Sequence, residues 1–301
     1  MKGRSWKTSG LDEAALAALA EGLPASELWS LLLDVLGRRA AQRTPAALVQ
    51  QWERDTFTRP APVDQRTLVA LDGHLLSAAA AFEAIELSPL APLGVCSAVA
   101  LASQNKVVSA LRGTEVVSDP TNVLALECAR RLRADPARVV RLATCHRCVR
   151  AQEIPKRPGL VQHFRIFCLA SAGLKGSDHA FVVEALVEHM RTHIAALDLL
   201  EQHGYAFPDR KVKLFATPAR AGLADRIARA LGEMPLMRER LEHPYYDGLR
   251  FMIDARSSTG EDRPLIDGGV FDWLGKLGQN RRLALVASGM GAQLAAVLFR
   301  A

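Results

Sequence analysis

Residues 145–173, CHRCVRAQEIPKRPGLVQHFRIFCLASAG, constrain this chain more than any other stretch. A strand with apolar flanks runs to Arg147, a basic loop containing Pro and Gly follows, and a second strand carries Phe164 among alternating polar and apolar neighbours. The pattern predicts a β-hairpin with a long loop. It places a guanidinium and an aromatic ring near one another on a sheet. A planar, permanently charged fork suits phosphate or carboxylate, and an aromatic face suits a purine. The hairpin therefore points to a nucleotide or acyl-phosphate pocket. The ordinary reading of the same residues is a hairpin with Arg on its solvated face and Phe on its buried one.

The segments around the hairpin divide the chain. Residues 11–80 hold no good strand. Residues 28–39 have helical apolar spacing behind a Ser26 cap, Thr44-Pro45 reads as a cap followed by proline at the first helical position, and a further helix follows Asp64. The segment TRPAPVD (58–64) reads as a linker. Strands are expected from residue 82 onward, at 82–87, 106–111, 115–117, 211–216, 246–255, 263–271 and 283–287. Helices are expected after Ser118-Asp119-Pro120-Thr121, over 177–202, over 219–231 and over 289–299. Together they predict an α+β fold with an antiparallel or mixed sheet flanked by helices. The predicted division is an N-terminal helical extension at 1–60 and a core domain at 61–301.

With 301 residues, 49% of them hydrophobic, a substantial core can form. No apolar run is long and uninterrupted enough to span a bilayer. The opening MKGRSWKTSG has no apolar core behind its basic residues, unlike a secretory signal, so the expected location is the cytoplasm. Five cysteines, an odd number, argue for reduced thiols. Cys145 and Cys148 form a CxxC, but positions three apart on a strand face opposite ways, which argues against zinc. Arg130, Arg131, Arg133, Arg138 and Arg141 make the densest basic run. Without interleaved aromatics it reads as a solvated helix end rather than an RNA-binding surface.

The hairpin resembles motif 2 of class II aminoacyl-tRNA synthetases, closest to the histidyl branch. His146, Arg147, Val149, Phe164 and Gly173 stand at its Phe-Arg-x-Glu, Phe and Gly positions. The resemblance continues in family order. Residues 64–89, with Pro89 closing a strand, resemble motif 1, which builds the family's dimer interface. VSDPTNVLALECA (117–129) resembles the histidyl branch's Leu-Arg-Pro-Glu-x-Thr segment, with Asp119 for the acid that holds the substrate amino group and Thr121 for the Thr. Tyr245-Tyr246 resembles the Tyr-Tyr pair lining the amino-acid pocket. Gly268-Gly269, within IDGGVFDWL, and Gln293, within SGMGAQL, fall in the motif 3 region. The implied ligand-binding set is Asp119, Thr121, Arg147, Phe164, Tyr245, Tyr246, Gly268, Gly269 and Gln293. The implied cofactor is ATP with Mg, and the implied assembly is a homodimer.

The departures are as informative as the matches. Gln293 stands where motif 3 has its ATP-binding arginine, keeping hydrogen bonding but no charge. By analogy with other preorganised electrostatic groups, that loss costs on the order of 2–4 kcal/mol. Val149 replaces the motif 2 Glu. Ile166 and Ala170 replace the histidyl branch's Gln and Glu on the return strand. Leu241, with Arg240 beside it, stands at the histidine-contacting Arg position. No counterpart of the anticodon-binding domain is expected, so ordinary tRNA charging is disfavoured. The favoured reading is a non-aminoacylating paralogue that binds an amino acid, a nucleotide or a partner protein in a regulatory role. The regulatory subunit of ATP phosphoribosyltransferase is a relative of this kind, which makes a phosphoribosyltransferase subunit a candidate partner. The alternative is an adenylate-forming ligase that activates a small carboxylate for an acceptor other than tRNA.

Overall fold

The structure is a computed structural model that describes residues 10, 12–100, 102–153, 160–278 and 280–301. The tip of the motif 2 loop, 154–159, lies outside the described residues.

The front of the chain is helical, as its spacing predicts: α1 (Glu13–Ala17), α2 (Ala25–Ala41) and α3 (Pro45–Arg54). Side-chain caps set two of the starts, Asp12 for α1 and Thr44 for α3, whereas α2 begins behind Pro24 without one and the expected cap Ser26 lies inside the helix. Thr44 Oγ1 accepts from Ala47 N at 3.2 Å with Pro45 in the first turn. None of the three buries a residue fully, and Leu36 and Trp52 remain 50% and 51% exposed. Helix α4 (Gln65–Ala78) starts at Asp64, which accepts from the Arg66 and Thr67 amides, and it buries Leu68, Leu71 and Leu75.

Strands β1 (Glu83–Ala84) and β2 (Leu90–Pro92), helix α5 (Val95–Ala98), strands β3 (Ser109–Ala110) and β4 (Thr114–Val116) and helix α6 (Pro120–Ala134) lead into the hairpin. The hairpin is β5 (Val140–Val149) and β6 (His163–Leu174). Then come α7 (Ala180–Glu201), β7 (Lys211–Ala216), α8 (Ala221–Leu231), β8 (Leu236–Arg240), β9 (Leu249–Arg256), β10 (Asp262–Phe271), α9 (Trp273–Gly278), β11 (Leu283–Met290) and α10 (Ala292–Leu298).

Among the described residues, eight strands form one sheet in the order β1-β5-β6-β11-β10-β9-β7-β8, and β2-β4-β3 form a small separate one. The centre of the large sheet is antiparallel, while the outer pairs β1·β5 and β7·β8 are parallel. Helices cover both faces. On one, α4, α7, α8 and α10 close over Phe167, Leu186, Phe251 and Val286. On the other, α6 and α9 pack over Leu142, Cys168 and Leu285. A sheet covered on both faces carries nearly continuous apolar strands through its middle.

Several boundaries differ from expectation. The motif 1 strand shrinks to two residues, because pairing with β5 lasts only from Glu83 to Ala84, and the Pro89 carbonyl accepts from Val117 N instead. Strands β2 and β8 had no alternating signal. Tyr245 and Tyr246 sit in the turn before β9 rather than within it, and β11 extends through Ser288 and Gly289 before α10 begins. In the basic run, Arg130 and Arg131 pair with Glu127 at 2.8 and 2.7 Å, and Arg141 pairs with Glu188 at 2.8 Å. These are ion-paired helix and strand surfaces. No helix among the described residues is long and apolar enough to cross a membrane.

Candidate functional site

The sheet face shared with α6 and α9 opens into connected cavities where β5, β6, β10 and β11 meet. An inner cavity of about 320 Å³ lies among Asp119, Tyr245, Tyr246, Ile166, Gly268 and Met290. An outer one of about 320 Å³ lies among Phe164, Gln293, Leu265 and Leu294. A smaller space of about 190 Å³ opens beside Ser118, Asn122 and Lys106. Arg150 lines all three.

The hairpin register decides which arginine reaches this cleft. Cys148 pairs with Phe164 and Arg147 with Arg165. Paired residues share a face and neighbours alternate. Phe164 and Cys148 therefore share the face covered by α6, where Phe164 lines the outer cavity and Cys148 is buried in the core; Arg147 and Arg165 have the opposite parity, and of these two only Arg165 borders that cavity. Arg147 lines none of the cavities described above. Its Nη1 meets His163 Nδ1 at 2.9 Å and donates to Gln293 Oε1 at 3.3 Å. Arg165 pairs with Asp72 of α4. The predicted pairing of Arg147 with Phe164 is thus corrected: Arg150, just past the end of β5, holds its guanidinium 5.1 Å from the Phe164 ring centre. Arg150 N donates to the Gln162 carbonyl at 2.8 Å, and its Nε donates to the Ser118 carbonyl at 3.0 Å. Its Nη2 lies 3.8 Å from Asp119 Oδ2.

Asp119 caps α6. Its Oδ1 accepts from Thr121 N at 3.0 Å and Thr121 Oγ1 at 2.7 Å, which leaves Oδ2 toward Arg150 and the cleft. Thr121 is buried, and its hydroxyl donates to Asp119. Tyr245 and Tyr246 stack edge to face at 5.1 Å, each packed against Phe271. Burial raises the pKa of both phenols, so they stay protonated as donors. Arg250 grips Asp267 through two bonds of 2.8 and 2.9 Å and lies 5.3 Å from the Tyr246 ring centre. Sequence reasoning missed this pair, as it missed Arg150.

The two motif 3 glycines are close-packing positions. A Cβ on Gly268 would sit 2.3 Å from Ser288 Cβ, and one on Gly269 would sit 2.4 Å from the Leu249 carbonyl and 2.6 Å from Tyr246 Cδ1. Only the backbone of Gly268 borders the inner cavity. Gln293 is almost fully buried on the wall of the outer cavity, with its carbonyl turned to Arg147. Ile166 lines both cavities, and Ala170 is buried deeper on the same strand. Leu241 is buried, and its N donates to the Ala216 carbonyl.

Behind the floor, on the opposite sheet face, Ser288 Oγ lies 2.8 Å from both His189 Nδ1 and His193 Nε2, and His189 Nε2 reaches Ser171 Oγ at 3.0 Å. Burial holds both histidines neutral, His189 well below its ordinary value and His193 down at about 3. The CxxC pair splits between the faces: Cys145 belongs to the core that holds Leu71 and Phe167, and Cys148 to the core that holds Leu142 and Cys168. Among the described residues, no group of three or more His, Cys, Asp or Glu is arranged to hold a metal ion.

An antiparallel-centred sheet, a motif 2-like hairpin carrying an arginine over a phenylalanine, and a Gly-rich strand leading into α10 together make a class II aminoacyl-tRNA synthetase-like core. Solved structures similar to it include an ATP phosphoribosyltransferase regulatory subunit/histidyl-tRNA synthetase from Bacillus halodurans, with TM-score 0.60 and 14% identity over 80% of this chain and 82% of that one. A histidine–tRNA ligase subunit from Alicyclobacillus acidocaldarius matches with TM-score 0.58 and 13% identity over 85% and 96% of the two chains. The apo histidyl-tRNA synthetase of S. aureus matches with TM-score 0.54 and 12% identity over 77% and 64%. At such identities the likeness is one of fold. No family model and no curated protein matches the chain.

Proposed function

We propose that this chain is a non-aminoacylating, histidyl-synthetase-like paralogue. It binds a small ligand, an amino acid or a nucleotide, in the cleft and serves a regulatory role as a homodimer. The observation that carries this reading is the asymmetry of the outer cavity. Arg150 over Phe164 keeps a phosphate-and-purine corner. Opposite it, where a charge on the transferring phosphoryl group would matter most, stands neutral Gln293 bonded to Arg147. Binding groups persist while transition-state groups are gone. Adenosine nucleotides fit the corner that remains.

The resemblance to a phosphoribosyltransferase regulatory subunit supports a phosphoribosyltransferase subunit as partner, and tRNA is not an expected substrate. Two measurements test the proposal. ATP–pyrophosphate exchange over a panel of amino acids should show no turnover. The chain should co-purify with a short-form phosphoribosyltransferase from its own source. Clear exchange abolished by Arg150→Ala would move the assignment to an adenylate-forming ligase. Failure to co-purify would remove the partner.

A further inference from the structure

The inner cavity has two chemically different ends. At one, Asp119 Oδ2 faces the cavity beside Arg150, because Oδ1 is occupied by Thr121. The other carboxylate of the lining, Asp267, is held by Arg250. Asp119 is therefore the acceptor left for an ammonium, with the Arg150 guanidinium next to it for a carboxylate. The opposite wall carries the side chains of Ile166, Cys168 and Ala287, while that of Met290 packs in the core on the other sheet face. Burial keeps the Cys168 thiol protonated. Ser288 borders this wall, but its hydroxyl is turned through the sheet to His189 and His193. A side chain lodged against this wall meets carbon and a neutral thiol, while the phenols of Tyr245 and Tyr246 belong to the rest of the lining.

We infer that the inner cavity selects an aliphatic α-amino acid over histidine, with Asp119 holding the ammonium, Arg150 the carboxylate, and Ile166, Cys168 and Ala287 receiving the side chain. The inference rests on the ligand-binding reading above and narrows it to a substrate class. An imidazole gains no hydrogen bond from the carbon of that wall, whereas a branched alkyl group loses nothing and buries its surface.

The test is titration calorimetry of the full chain with leucine, isoleucine, valine, methionine, histidine and N-acetyl-leucine, with AMP in a separate arm. At least one aliphatic amino acid should bind at least about tenfold tighter than histidine, the discrimination a shaped apolar pocket provides. N-acetyl-leucine and the Asp119→Asn variant should lose that binding; asparagine caps a helix as well as aspartate does, so the variant keeps its fold. Ile166→Gln should narrow the gap between leucine and histidine. Ala287→Ser on the same wall serves if Ile166→Gln fails to fold. Histidine binding as tightly as the best aliphatic ligand overturns the side-chain assignment and leaves the ligand-binding proposal standing. Binding of AMP but of no amino acid overturns this inference alone. Binding of neither class overturns both.

Discussion

Arg147 and Arg150 lie three residues apart, and replacing each by alanine separates their roles. Arg150→Ala removes the guanidinium 5.1 Å from the Phe164 ring centre and the one donor group shared by all three cavities. A charge-assisted contact to a phosphate contributes about 1.5–3 kcal/mol. The Arg150 side chain is 34% exposed, so water screens it and the low end applies, about 1.5–2 kcal/mol or roughly 10–30-fold in Kd. Arg147→Ala instead removes the contacts with His163 and with Gln293 and takes away no side chain that lines the cavities. It should leave nucleotide Kd within about twofold while costing about 1–2 kcal/mol of stability, a fall of roughly 2–8 °C in Tm. Calorimetric titration with AMP and ATP, paired with thermal unfolding of both variants, reads the two effects separately. Weaker nucleotide binding by Arg147→Ala than by Arg150→Ala would refute the hairpin register and, with it, the assignment of the cleft.

Three further outcomes are expected. Gly269→Ala places a methyl against the Leu249 carbonyl and the Tyr246 ring, so it should destabilise the chain by about 1–3 kcal/mol; an unchanged denaturation midpoint would contradict the packing. His189 and His193 are held neutral with pKa values below those of the unfolded chain, so their stabilisation is complete above the unfolded value near 6.5 and is lost as pH falls below it. Each should cost about 1.4 kcal/mol per pH unit below that value, read by urea unfolding between pH 7.5 and 5, and a flat profile would exclude the buried network. Because α1, α2 and α3 bury no residue fully, a chain starting at residue 61 should keep a cooperative unfolding transition, and loss of that transition would refute the proposed division at 60/61.

Much of the architecture was legible in the residues. Asp64, Thr44 and Asp119 each announced a helix start, because a side-chain oxygen that satisfies free amides works in any fold. Strand β7 was legible at its full length, Lys211–Ala216, because its residues alternate between buried and partly exposed. Asp119, Tyr245, Tyr246 and Ile166 do converge on one cavity. Strands β2 and β8 were not legible, since so few residues carry too little pattern and their partners are not their immediate neighbours in sequence.

What the sequence determined by itself was the order of pieces: helical front, hairpin, Gly-rich strand, closing helix. Which arginine serves the cleft was decided by tertiary structure alone. Strand β5 lies between β1 and β6 in a sheet covered on both faces, and most of its residues are buried. Its apolar pattern therefore loses the alternation that would reveal which side chains face which way. Only pairing with β6 sets the parity, and one step of register exchanges one face for the other.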